Sequence, residues 1–282
     1  MTKLRQPNLQ LADGHTMPQL GFGVYKLADQ ATMNTAIAAA YQAGYRLFDT
    51  AQAYQNEAEL GTAFKQLALP RTELFITTKI AEVNQGYDNT LRSVELSLKR
   101  LQIEQLDLLL IHWPIHSQFF ATWRALERLK AEKIVRSIGV SNYHQTHLDY
   151  LATKANEQPV VNQIENHPYL SQEPLLAYNR KQHIVSQAWS PLGRGAVLQD
   201  PTLIKIALKH QRSVAQIILR WHLQRGLAVI PKSQNPQRIN ENATIFDFKL
   251  DADDMTAIAR LNRYQRTGDD PEVVYQIEHQ YH

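Results

Sequence analysis

Four side chains able to do acid–base chemistry close, or closely follow, short apolar runs. Asp49 closes "YRLFD" (45–49), with Tyr54 in the stretch behind it; Lys79 closes "ELFITTK" (73–79); His112 closes "LDLLLIH" (106–112). A free phenol titrates near about 10, too high for efficient proton exchange at neutral pH. A lysine ammonium beside it favours the phenolate and lowers that value. A buried ammonium in turn needs a counter-charge, and Asp49 is the carboxylate placed at a neighbouring run. His112 can then hydrogen-bond a substrate oxygen and orient it. The set describes a tuned proton donor for a carbonyl oxygen. Taken singly, each residue reads as a solvated rim charge or a packing ring, so the four count only together.

These residues need a scaffold that brings run ends together. Further apolar runs lie at "LGFG" (20–23), "VRSIGVS" (135–141), "VVNQIE" (160–165), "HIVSQAW" (183–189) and "LAVIPK" (227–232). Helical stretches alternate with them. In "NTLRSVELSLKRL" (89–101), Leu91, Val94, Leu98 and Leu101 share one helix face. Gly44 and Gly226 are placed to end helices, Ser171 to start one at 170–181, and Pro236 to sit in a first turn. Runs that are apolar throughout suit a parallel sheet covered by helices. Eight strand-then-helix units predict an α/β fold, a (β/α)₈ TIM barrel whose strand ends form the working face. Asp13-Gly14 predicts an N-terminal β-hairpin (8–20) capping the barrel bottom. A doubly wound sheet is the rival, but neither "GFGVYK" nor "GRGAVL" completes G-x-G-x-x-G. One domain over 1–282 is expected, closed by a short tail at 264–282. The other strand ends hold Ser141 and Asn142, Gln163, Trp189 and Ser190, and Lys232 and Ser233.

Composition removes several function classes. With no cysteine among 282 residues, thiolate metal sites, disulfides and cysteine nucleophiles are excluded, in keeping with a cytoplasmic protein. The start "MTKLRQPNLQ" carries charge without an apolar run behind it, so no secretory signal is expected. "LDLLLIHW" is too short to span a bilayer. The net charge of +3 is scattered, which argues against nucleic acid and for a small anionic ligand. No metal site is expected: Pro114 separates His112 from His116, while His144 and His147 lack a third ligand and read as solvated.

"GYRLFDTAQAYQNE", "LLLIHWP", "GVSNY", "VVNQIENHPYL" and "IPKSQNPQRINEN" together resemble the aldo-keto reductases over nearly the whole chain. The resemblance implies a monomeric barrel that binds NADP(H) in extended form and reduces aldehydes or ketones. By position Tyr54 would donate the proton, Lys79 and Asp49 would tune it, and His112 would orient the substrate. Ser141, Asn142 and Gln163 match contacts to the nicotinamide carboxamide, and Trp189 the ring that stacks on it. Ser190, Leu192, Gly193 and Arg194 fall near the pyrophosphate; Lys232, Ser233, Arg238 and Asn242 at the 2′-phosphate and adenine, with Glu241 near the adenosine. The Lys232–Arg238 pair selects NADPH over NADH in this reading, because both cations can converge on one phosphate.

Trp189 resembles the bacterial branch that includes 2,5-diketogluconate reductases. Tyr25 stands where a tryptophan is common, Lys133 where glycine is, and the loop between Trp113 and Trp123 is short. A substrate wall of Tyr25, Ala53, His112 and Trp113 with a wide mouth is expected, and with it broad, weak selectivity. Two other readings stand beside this one. A non-catalytic nucleotide-binding regulator uses the same fold. A glycoside hydrolase would need two carboxylates at strand ends, for which Glu165 and Asp49 are the candidates.

Overall fold

The computed structural model describes residues 6–276, with Gln276 as backbone only. Residues 277–282 of the expected tail lie outside the described residues. A hairpin of β1 (Asn8–Gln10) and β2 (Thr16–Pro18) precedes eight further strands. They are β3 (Gly21–Gly23), β4 (Leu47–Asp49), β5 (Phe75–Ile80), β6 (Leu106–Ile111), β7 (Val135–Ser141), β8 (Val161–Glu165), β9 (Val185–Trp189) and β10 (Ala228–Val229). All eight pair in parallel in chain order. A parallel bridge from Leu20 to Val229 joins the first strand to the last, which makes the sheet a barrel.

Period-two alternation decides what faces where. Leu47, Leu108, Leu110, Val161 and Ala228 fill the barrel interior, where Met17 and Leu11 of the hairpin plug the bottom. Phe48, Ile76, Leu109, Ile111, Ile138 and Val140 pack outward under the helices. Asp49 lies two residues beyond Leu47, and Lys79 two beyond Thr77, which pairs with Leu108. These charges therefore sit on the inner face, one layer above the apolar plug.

The connecting helices are α1 (Gln30–Gln42), α2 (Glu57–Gln66), α3 (Tyr87–Leu101), α4 (Phe119–Ala131), α5 (Gln145–Ala152) and α6 (Glu173–Lys181). They are followed by α7 (Pro201–His210), α8 (Val214–Gln224), α9 (Pro236–Ala243), α10 (Ala252–Ala259) and α11 (Pro271–Gln276). Gly44 and Gly226 follow the caps of α1 and α8 at φ 96° and 79°, as the helix-end signals predict. Lys133 takes the same left-handed role after α4, at φ 61°, without glycine's freedom. Pro236 does open α9, behind an Asn235 cap whose side chain accepts from Gln237 N and Arg238 N.

Three expectations change. Ser171 does not cap α6; the cap is Gln172, itself left-handed at φ 50°. The second and third barrel strands begin two residues later than their apolar runs, because Arg71–Glu73 forms a 3₁₀ turn and Tyr45 is drawn out to pack on Phe22. The last strand keeps only two residues, so Lys232 lies in the irregular stretch beyond β10 rather than at its tip.

Candidate active site

The four acid–base residues meet at the top of the barrel. Asp49 ends β4, Lys79 lies on β5, and a 3₁₀ turn over Gln52–Tyr54 folds Tyr54 back over both. His112 follows β6, its N–H donating to Ile80 O at 3.2 Å. Lys79 is fully buried and donates to Asp49 Oδ1 at 2.5 Å, Thr50 O at 2.9 Å and Tyr54 Oη at 3.4 Å. Gln163 Nε2 donates to the other Asp49 oxygen at 2.7 Å. The Tyr54 ring lies 5.8 Å from His112 and 4.9 Å from Tyr25, centroid to centroid.

Electrostatics modify the sequence reading in one respect. Burial alone would push the Lys79 ammonium down, but the Asp49 carboxylate and the Tyr54 oxygen reverse this and leave it above its usual value. Burial raises the Tyr54 phenol, and Lys79 offsets this only in part, because its charge is matched first by Asp49. The expected lowering is therefore not met: the phenol stays protonated and can donate. The ammonium contributes when negative charge develops on the phenol oxygen. Burial, then Lys79, lowers His112 to about 3, so its imidazole is neutral at physiological pH.

A cavity of about 690 Å³ opens above this set. Tyr25, Ala53, His112 and Trp113, the residues expected from the sequence to form a substrate wall, line it. It is also lined by Ser141, Asn142, Gln163 and Trp189, and by Ser190, Leu192, Arg194 and Lys232. Asn142 adopts φ 65°, a left-handed conformation asparagine tolerates better than most residues. Its side chain accepts from Trp189 Nε1 at 2.7 Å and donates to His112 O at 2.9 Å, tying the aromatic ring to the imidazole's strand. Ser141 Oγ donates to Gln163 O at 2.9 Å. Gly193 adjoins the cavity at φ 54° without lining it. Ser233, Arg238, Glu241 and Asn242 lie along the stretch after β10 and on α9, outside the cavity lining.

Three charged lining residues are not among the site residues expected from the sequence: Lys26, Glu82 and Asp269. Lys26 directly follows Tyr25, and Glu82 comes three positions after Lys79, so adjacency to strand ends already marks both. Lys26 and Lys232 face each other closely enough that burial and the Lys26 charge lower Lys232. Neither these two nor Arg194 makes an ion pair among the described residues, which leaves three unmatched cations on the cavity lining. Asp269 arrives from the C-terminal segment, which lies across the barrel top. Thr267 N donates to Glu165 Oε1 at 2.7 Å, and Gly268 packs so close to Trp189 that a Cβ there would fall 2.4 Å from the ring. Glu165 is thus an anchor, bonded also to His167 at 3.2 Å, and not half of a hydrolase pair. The expectation that His147 is solvated is likewise corrected. It is buried under α11, its Nδ1 accepts from His144 N, and Glu272 faces both histidines. Among the described residues no cluster of metal-binding side chains occurs.

The family model for the aldo/keto reductase family matches residues 19–263. The glyoxal reductase of Bacillus subtilis is 46% identical over 264 residues, covering 94% of this chain and 96% of that protein. The methylglyoxal reductase DkgA of Yersinia pestis is 45% identical over 272 residues, covering 95% and 97%. Among solved structures, a variant of Gox0644 in complex with NADPH superimposes with a TM-score of 0.90 at 45% identity, covering 95% of this chain and 98% of that one. Barrel, strand-end residues and these likenesses agree: this chain belongs to the aldo/keto reductase family.

Proposed function

We propose that this protein reduces small aldehydes and ketones with NADPH, using Tyr54 as the proton donor. The observation that carries the reading is the contact between Tyr54 Oη and the buried Lys79 Nζ, 3.4 Å apart beneath a cavity that also holds His112 and Trp189. Bound NADPH supplies the hydride that reduces the carbonyl carbon. The chain's own residues handle the oxygen. Neutral His112 donates one hydrogen bond and fixes the carbonyl's direction; Tyr54 donates the proton as negative charge builds on that oxygen. Lys79 stabilises the phenolate left behind, and Asp49 keeps Lys79 charged. Ser141, Asn142 and Gln163 would hold the carboxamide and Trp189 would stack on the nicotinamide. Lys26, Arg194 and Lys232 present unpaired cations to the phosphates, with Ser190, Leu192 and Gly193 shaping that loop. Ser233, Arg238, Glu241 and Asn242 flank the adenosine end.

The relatives named for glyoxal and methylglyoxal support α-dicarbonyls as the first substrates to try. A monomer in the cytoplasm is the form we infer. The monomer is what the resemblance to the aldo-keto reductases implies, and a sequence without cysteine suits the cytoplasm. The test is consumption of NADPH with methylglyoxal, glyoxal and an aromatic aldehyde. Turnover of at least one supports the reading. NADPH binding without turnover of any would instead favour the non-catalytic regulator.

A further inference from the structure

Glu82 is a carboxylate inside the catalytic cavity that the chemistry above does not use. It follows β5 in a 3₁₀ turn (Glu82–Asn84), and its side chain is one-third exposed, into the cavity shared with Tyr54, His112 and Trp113. Its Oε1 stands 3.6 Å from His112 Nδ1, a ring nitrogen that is buried and has no hydrogen-bond partner. The distance suggests an ion pair, but the imidazole beside it is neutral, so no positive charge is present to pair with. The separation also exceeds a hydrogen bond. Asp49, the other acid beside the catalytic tyrosine, is held by Lys79 at 2.5 Å. The cavity's cations Lys26, Arg194 and Lys232 form no ion pair with Glu82, and no cation offsets the effect of burial on it. Glu82 thus leaves an unmatched carboxylate beside His112, while Asp269, the other unpaired acid of the lining, follows Gly268 next to Trp189 and Arg194.

We propose that Glu82 sets the charge class of the substrate, admitting uncharged aldehydes and ketones and rejecting carbonyl compounds that carry a carboxylate beside the reacting carbon. This rests on the carbonyl-reduction reading above. A carbonyl held by Tyr54 and His112 places its α-substituent next to the Glu82 carboxylate. In a partly dehydrated pocket two like charges at that range repel strongly. Uncharged dicarbonyls and hydroxyaldehydes meet no such penalty, and their hydroxyls can donate to the Glu82 oxygens.

The titratable and charged groups that line the cavity with Glu82 are His112 from the end of β6, Asp49 and Tyr54 from β4 and the turn after it, Tyr25 and Lys26 from the loop after β3, Arg194, Lys232 and Asp269. Among the described residues His112 is the one basic side chain within 4.0 Å of the Glu82 carboxylate, and Tyr87 and Asp88 open α3 shortly after it in the chain. Burial raises the Glu82 carboxyl above its ordinary range. Above that value the carboxylate is charged and the filter acts; as pH falls through it, the group is neutralised and the filter weakens. His112 stays neutral throughout this window, since its own value is about 3.

The experiment compares kcat/KM for glyoxylate and glyoxal, which share an aldehyde carbon and differ in a carboxylate against a second aldehyde. It uses the full chain with saturating NADPH, as wild type, Glu82→Gln and Glu82→Asp. The expected result is a glyoxylate-to-glyoxal ratio that rises roughly 10- to 100-fold in Glu82→Gln, the size of one removed like-charge contact. Glu82→Asp, which keeps the charge, retains most of the discrimination. In wild type the ratio rises as pH is lowered, and in Glu82→Gln it is flat. An unchanged ratio in Glu82→Gln overturns the proposal, as does an equal loss of kcat on both substrates, which would mean that the residue only positions His112. Failure of every variant, wild type included, to turn over either compound would instead overturn the carbonyl-reduction reading.

Discussion

The two ends of the catalytic cavity are built on opposite principles. At the carbonyl end, Lys79, Asp49, Gln163 and Gln187 form a continuous series of hydrogen bonds, with Lys79 and Asp49 almost wholly removed from solvent. At the phosphate end, Lys26 and Lys232 face each other with no ion-pair partner among the described residues, and Arg238 stands exposed on α9. The central charges of the first end, Lys79 and Asp49, are matched without a ligand; the Lys26–Lys232 pair is a repulsive one that a ligand's charge would relieve. Chemistry that must be held to fractions of an ångström is assembled during folding, where packing fixes it. Ligand capture is left to charges whose mutual repulsion the fold tolerates because they are near solvent.

Substitutions should therefore separate the ends by what they damage. The largest expected effect is Asp49→Asn, which leaves a fully buried ammonium without its counter-charge and should cost about 3–5 kcal/mol of folding stability. Chemical denaturation measures it, and a loss under about 1 kcal/mol would show that the pair is more hydrated than its burial indicates. Next comes Tyr54→Phe, which should fold and bind NADPH normally yet lose carbonyl reduction by ~10²-fold or more. Wild-type turnover in that variant would remove Tyr54 from the mechanism. At the other end, Arg238→Ala should leave the melting temperature unchanged and weaken NADPH binding by roughly 10- to 100-fold, the value of one charge-assisted contact. NADH binding should hardly move, because it lacks the 2′-phosphate; equal losses for both would make Arg238 a support of the fold. The smallest effect is Lys26→Ala, an exposed-rim charge whose removal should weaken NADPH by about 2- to 5-fold. Fluorescence titration at two salt concentrations checks it, and a salt-independent loss would contradict an electrostatic role.

Much of the site can be read from the chain because parallel barrels place strand ends on one face. Once eight apolar runs are counted, Asp49, Lys79, His112, Asn142, Gln163 and Trp189 must converge, whatever the details of packing. The differences share a cause. Local preference alone favours Ser171 as a cap and early starts for the second and third barrel strands, and tertiary packing overrides it. His147 reads as solvated in isolation because the segment that buries it, α11, lies more than a hundred residues further on. Asp269 and the Glu165–Thr267 anchor are invisible for the same reason.

The sequence by itself determined the barrel, the identity of its strand-end residues and their shared face, since the periodicity of apolar side chains depends only on backbone geometry. Tertiary structure alone decided which charges are matched. Burial raises the Tyr54 phenol and Lys79, nearer to Asp49, offsets this only in part, so the phenol keeps its proton; Glu82 finds a neutral imidazole, so its charge is left to the substrate. Coulomb energy and desolvation vary over single ångströms, a scale that spacing along a chain does not encode.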